Sequence, residues 1–367
     1  MSTFDTKRNS SICVLPWVHE FISINDKTGP CCHSDSFKGN ETLSMLRQQM
    51  LNDQKPRICS VCYKNEQNTG YSVRIQETID WIKKHGEPNI EETDLQSIDI
   101  RYDPTCNLKC KTCGPTFSTL WQKEKKVKIK TNIKNKKHFH EIDKKKLKKV
   151  YLAGGEPTYI RDYLFFLEKL YEVNPDCEVV INTNLKKLST DWKKIMTLFK
   201  NLTVICSCDA INSLGCYVRY PLEWQEFEKN VRYVSENVNF LQFNLVASNL
   251  TAHKLYETCE WMKQYSNNIN ISIIKDPKYF TESAVPHEYR NTYLDNLKKL
   301  KTFPISVHYA LNFRKKIESL IKKYTETDYN NFLHQQLLTN IKTQDENRKL
   351  GIEKVDSFLN NWIKNLG

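Results

Sequence analysis

The chain has 367 residues, 39% of them apolar and 27% charged, and its 55 Lys and Arg against 43 Asp and Glu give a net charge of +12. That length allows one large domain or two to three smaller ones, and the composition fits a soluble globular protein. No apolar run approaches the roughly 18 residues of a membrane span, and the N-terminal MSTFDTKRNSSICVLPW lacks the apolar core of a signal peptide, so a cytoplasmic location is expected.

Thirteen cysteines are many for a chain in a reducing compartment, where clustered thiols more often hold metal or do chemistry than form disulfides. The first set lies in residues 13–62: Cys13, Cys31, Cys32, Cys59 and Cys62. From about residue 94 the pattern changes to an alternation of β-rich runs and helical periodicity. LQSIDIRY reads as a strand and PTFSTLWQKEKK as a helix start; KKVYLAGG is a strand and YIRDYLFFLEKLYEV a helix. CEVVINTN, LTVICSCD and NFLQFNLVAS are strands, followed in turn by TDWKKIMTLF, LEWQEFEKNVRYVSEN and AHKLYETCEWMKQY; NINISIIKD is the last strand. Six strands alternating with helices predict a parallel β/α sheet. After residue 286 the chain reads as helical and polar. The lysine-rich stretch 123–149 is expected to be a solvated helix and loop. The later cysteines, Cys177, Cys206, Cys208, Cys216 and Cys259, are expected to be small buried apolar residues.

Between the first strand and its helix stand Cys106, Cys110 and Cys113, spaced C-x3-C-x2-C. A cubane iron–sulfur cluster wants one external ligand on each of four irons; three cysteines leave the fourth iron open. The loop falls at the carboxyl edge of the sheet, where β/α folds put their sites. Lys109 and Lys111 flank the thiols and are placed to offset thiolate charge. A zinc site of Cys110 and Cys113 with Cys59 and Cys62 is the structural alternative. One strand later the chain reads Gly154-Gly155-Glu156-Pro157. Two glycines permit close backbone approach, and a carboxylate beside them suits a primary ammonium.

Together, segment 98–113 and Gly154–Pro157 resemble the radical S-adenosylmethionine superfamily, and the resemblance extends over roughly residues 95–290. It implies an open six-stranded β/α partial barrel. There Cys106, Cys110 and Cys113 hold a [4Fe–4S] cluster whose open iron chelates the amino and carboxylate groups of S-adenosylmethionine. It implies that Gly154, Gly155, Glu156 and Pro157 bind the methionine amino group, and that Thr112 reaches adenine through its backbone. INTNL (181–185) resembles the family's third-strand end and adds Asn184. CSCDAINSLGCYVRYPLEW (206–224) resembles its Ser-x-Asp strand followed by Tyr-x-Arg-x4-Trp, here Tyr217, Arg219 and Trp224, which adds Ser207, Asp209 and Arg219 as cofactor-binding residues.

The N-terminal cysteines resemble the twitch and SPASM auxiliary-cluster modules. The pattern is Cys-x-x-Pro-Trp, a turn with cysteine, then Cys-x-x-Cys-Tyr with Glu, Gly, Ser and Arg; here it is Cys13, Pro16, Trp17, Gly29, Cys31 (or Cys32), Cys59, Cys62, Tyr63, Glu66, Gly70, Ser72 and Arg74. Four thiolates close a site, and Cys31 is preferred because it follows Gly-Pro. The expected domains are 1–93, the auxiliary module; 94–285, the partial barrel; and 286–367, a helical extension. The expected function is reductive cleavage of S-adenosylmethionine to a 5′-deoxyadenosyl radical that abstracts hydrogen from a substrate. A flavodoxin- or ferredoxin-like donor is expected to supply one electron. The substrate is expected to be a peptide or protein, with a small molecule as the alternative. A zinc- or cluster-bearing nucleic-acid-binding protein, suggested by the +12 charge, is the reading from another class. It has no use for an ammonium pocket, and no aromatics interleave with the lysines for base stacking.

Overall fold

The structure is a computed structural model that describes residues 3–7, 11–24, 29–129 and 139–364, without the side chains of 68, 69 and 364. The chain divides into two compact units. One comprises Met1–Thr105, Ile129–Ile181 and Leu198–Leu202; the other comprises Cys106–Lys128, Asn182–Thr197 and Thr203–Gly367.

Seven strands are present: β1 (His19–Ile22), β2 (Ser97–Ile100), β3 (Lys149–Leu152), β4 (Glu178–Thr183), β5 (Leu202–Ser207), β6 (Phe240–Ala247) and β7 (Ile269–Ile273). Within each unit the strands lie side by side in chain order. In the first unit β1 to β4 are parallel, with His19 opposite Ser97, Ser97 opposite Lys149 and Lys149 opposite Glu178. In the second, β5 to β7 are parallel, with Phe243 opposite Ile269. All six strands expected from the sequence are found. The expected count of six is corrected to seven, because His-Glu-Phe-Ile at 19–22 is also a strand. Only Ile22 of the four is buried, so no alternating apolar signal marks it. Its extended form is set by pairing with Ser97–Ile100, far along the chain.

The first unit buries an apolar cluster of Phe4, Ile12, Val14, Leu15, Trp17, Leu46, Met50, Ile58 and Trp81, and Cys13 is part of it. Three helices surround it: Leu43–Leu51, Ser60–Thr69 and Val73–His85. In the second unit, helices follow β5 and β6 as the alternation predicts, at Trp224–Asn237 and Leu255–Lys263. After residue 286 the described residues are helical, at Arg290–Lys299, Val307–Glu326, Asn331–Arg348 and Ser357–Lys364. The Val307–Glu326 helix lies along β7, which blunts an otherwise open sheet edge. Of the lysine-rich stretch 123–149, residues 130–138 lie outside the described residues. Cys177, Cys206, Cys208 and Cys259 are buried, as expected of small apolar residues, while Cys216 is half-buried. Among the described residues, no helix is long and apolar enough to cross a membrane.

Candidate functional site

In the second unit, the cysteine loop has no regular structure of its own and is held from outside. Backbone N–H groups of Lys109 and Lys111 donate to the carbonyls of Tyr220 and Val218, each at 2.7 Å. Alternate residues of extended chain face opposite ways, so the lysines share one side and Cys110 takes the other. The indole Nε1 of Trp121 donates to the Cys110 carbonyl at 2.9 Å, and Ser118 Oγ donates to the Leu108 carbonyl at 2.6 Å. Ser118 also accepts from the Trp121 N–H and so caps the Thr119–Lys125 helix. The helix start expected at PTFSTLW thus anchors the loop it follows. Neither flanking lysine offsets thiolate charge as expected. Lys109 pairs with Glu124 and Lys111 with Asp345.

Cys106 and Cys110 are half-buried and Cys113 is exposed. Burial pushes the Cys110 thiol up to about 12, with the Arg219 guanidinium working against that. Asn184, at the end of β4, donates to Asn107 Oδ1 at 2.8 Å and lies 4.0 Å from the Cys106 sulfur. Ser207, at the end of β5, donates to Asn182 Oδ1 at 3.2 Å. Asp209 is buried; its Oδ1 accepts from the Val246 N–H and its Oδ2 from Arg219, both at 2.9 Å. Burial works against the charge on Arg219, but Cys110 and Asp209 overcome it and raise the pKa. Arg219 Nε is buried without a hydrogen-bond partner. An orphaned cationic donor beside Cys110 and Asp209 fits a missing anionic group, because leaving it unpaired is costly. Thr112 is half-buried in the same loop.

In the first unit, Gly154 has φ +109, and a Cβ there would lie 3.0 Å from the Asp103 carbonyl oxygen. A Cβ on Gly155 would lie 2.2 Å from the Thr105 carbonyl oxygen. Both positions therefore require glycine. The closeness is used: Gly155 N–H donates to the Asp103 carbonyl at 2.9 Å and Glu156 N–H to the Thr105 carbonyl at 2.8 Å. Thr105 is the residue before Cys106. Glu156 is 1% exposed, and its Oε1 accepts from the Thr158 N–H at 3.0 Å and hydroxyl at 2.6 Å. Pro157 opens a 3-10 turn through Tyr159.

Also in the first unit, Cys13, Cys31, Cys59 and Cys62 line one small apolar pocket with Leu15, Pro30, Met50 and Arg74. Burial first, and then Cys31 and Cys59, push the Cys13 thiol well up; Cys59 is pushed up to about 12. Cys32 does not line this pocket. It lines a neighbouring cavity with Asp99 and Arg101, which Cys31 also lines. The sequence prefers Cys31 to Cys32, and Cys31 lines both cavities whereas Cys32 lines only the second. The Tyr, Glu, Gly, Ser and Arg of the motif form a frame for the pocket. Gly70 ends its helix at φ 67, and Ser72 caps the next by accepting from Ile75 N–H. Arg74 grips Glu66 at 2.7 Å, donates to the Ile12 carbonyl next to Cys13, and lies over the Tyr63 ring at 5.3 Å. Among the described residues, no three His, Cys, Asp or Glu side chains are drawn together around a single metal ion.

The Radical SAM superfamily matches residues 100–262. No curated protein matches the chain. Among solved structures, the chain is similar to native anSMEcpe with bound AdoMet, at 19% identity and TM-score 0.41, over 56% of this chain and 59% of that one. It is also similar to Streptococcus suis SuiB, at 15% identity and TM-score 0.40, over 76% of this chain and 67% of that one. The chain thus spans about three fifths of the length of the first of these structures. The superfamily implies a [4Fe–4S] cluster and S-adenosylmethionine. Residues 100–262, less than half of the chain, thus match the Radical SAM superfamily.

Proposed function

We propose that the protein binds S-adenosylmethionine at a [4Fe–4S] cluster held by Cys106, Cys110 and Cys113, cleaves it reductively, and removes a hydrogen atom from a peptidyl substrate. The observation that carries this reading is the Gly154-Gly155 turn, bonded to the Asp103–Thr105 stem of the three-thiol loop, where any side chain would collide. A cluster held by these thiolates would supply the one electron that reductive cleavage of S-adenosylmethionine needs.

The chain's own residues bind and orient. The three thiolates hold the cluster and leave one iron for the cofactor. Glu156, with the backbone opened by two glycines, takes the cofactor ammonium. Arg219, with one donor spare and its charge enforced by Asp209, takes an anionic group. Asn184 orients the loop at Cys106 and Asn107, and Ser207 at the end of β5 and Asp209 just beyond it would help hold the cofactor. Thr112 meets adenine through its backbone. A one-electron donor of flavodoxin or ferredoxin type supplies the reductant. Cys13, Cys31, Cys59 and Cys62 close a second, auxiliary iron–sulfur site of twitch or SPASM type.

A charge-assisted hydrogen bond contributes roughly 1.5–3 kcal/mol, so Glu156→Gln is expected to weaken S-adenosylmethionine binding by about one to two orders of magnitude. Titration calorimetry on the reconstituted protein measures this, and unchanged affinity reduces the loop to a turn.

The substrate class is read from charge. A chain of net charge +12 attracts an acidic segment, with association weakening as salt rises. The reduced enzyme is incubated with deuterium-labelled peptides and, separately, with labelled small metabolites. Deuterium is expected in 5′-deoxyadenosine from a peptide; transfer from a metabolite and from no peptide overturns the choice.

A further inference from the structure

The helix Asn331–Arg348 buries His334, Leu337, Ile341, Gln344, Asp345 and Arg348. These lie on one stripe at helical spacing, apolar in the middle and ionic in its last turn. Buried charge is tolerated only when paired, so where these side chains go is decisive. They reach the cysteine loop and the segments that hold it, all within the second unit. Lys111 Nζ donates to Asp345 Oδ1 at 3.1 Å and to Gln344 Oε1 at 3.3 Å. The same ammonium sits 4.0 Å over the Tyr217 ring, and the Tyr217 hydroxyl donates to Asp345 Oδ2 at 3.0 Å. Arg348 donates through Nε and Nη2 to the two oxygens of Glu124, at 3.1 and 3.0 Å. Glu124 is also the partner of Lys109. The Lys111 and Arg348 side chains are fully shielded from water.

We propose that Asp345 and Arg348 are positioning residues for the cluster loop, so that the helical extension sets the placement of Cys110. This rests on the reading of the three thiols as cluster ligands. Lys109 and Lys111 bracket Cys110. Each is fixed twice, by its backbone N–H on Tyr220 or Val218 and by its ammonium on a carboxylate. The Cys110 thiol is thereby pinned between two anchored neighbours. Asp345 acts through Lys111 and Tyr217, and Arg348 acts through Glu124. The motif residue Tyr217 is accounted for in the same way: its ring and hydroxyl complete the Lys111 socket.

The test compares single and paired replacements on the full chain. Removing one partner of a buried pair leaves an uncompensated charge, whereas replacing both with apolar groups costs little. Asp345→Asn and Lys111→Met are each expected to speed hydrogen exchange of the Lys109 and Lys111 amides, on the order of a hundredfold. The combined Lys111→Met/Asp345→Leu chain is expected to recover most of that protection, and Asp345→Glu to stay near the wild type. In reconstituted protein, Asp345→Asn is expected to alter the electron paramagnetic resonance of the reduced three-cysteine cluster, and Asp345→Glu to restore it. Loop exchange unchanged by Asp345→Asn, or a combined variant no better protected than the worse single one, overturns the proposal. Exchange is also read on the iron-free chain. A wild type that takes no iron at the triplet therefore overturns the cluster reading, while the exchange data still decide the clamp.

Discussion

A chain with Cys106, Cys110 and Cys113 replaced by alanine is expected to form no 5′-deoxyadenosine from S-adenosylmethionine under reducing conditions, while keeping iron at its other cysteine set. The effect is total because the cubane has no other protein ligands in the proposed site, and a thiolate-to-iron bond has no substitute in alanine. The fold should persist. Cys113 is exposed and Cys106 and Cys110 are only half-buried, so little apolar contact is lost. The loop is held by groups that remain, namely the Lys109 and Lys111 amides, the Trp121 indole and the Ser118 hydroxyl. Anaerobic absorption with iron and sulfide counting, alongside chromatography of 5′-deoxyadenosine, reads both halves. Undiminished 5′-deoxyadenosine in the triple variant removes the triplet from the chemistry.

The second large effect is expected at Cys13, Cys31, Cys59 and Cys62. Replacing all four should remove about half of the bound iron if each set holds a cubane. Replacing Cys32 alone should remove none. The contrast is a strong control, since Cys31 and Cys32 are neighbours with the same chemistry and both are half-buried. Only Cys31 lines the pocket with the other three thiols. Burial first, and then the neighbouring thiols, push the Cys13 and Cys59 thiols up. A site closed by four ligands does not bind the cofactor. Turnover of the true substrate is therefore expected to fall further than unproductive cofactor cleavage. Equal losses at Cys31 and Cys32, or zinc in the second site after full anaerobic reconstitution with a single cluster elsewhere, overturn the auxiliary-cluster reading.

Local order carries some of these features in the sequence itself. The six strands after residue 94 are legible because β-rich runs alternate with helical periods, five of the six being followed by one, and both signals are short-range. The triplet and the Gly154-Gly155-Glu156-Pro157 turn are legible because thiol spacing and backbone freedom are properties of a few adjacent residues. Burial of Cys206, Cys208 and Cys259 follows equally from apolar neighbours along one segment.

Tertiary structure decides what depends on residues far apart. His19–Ile22 is a strand only because Ser97–Ile100 offers a ladder. Gly-Pro favours Cys31 over Cys32 in the sequence, but only the fold brings Cys31, and not Cys32, into the pocket of the other three thiols. Lys111 reads in sequence as a charge beside thiolates. In the fold it is buried against Asp345, 234 positions away, because desolvating an ammonium demands a carboxylate wherever the chain can deliver one.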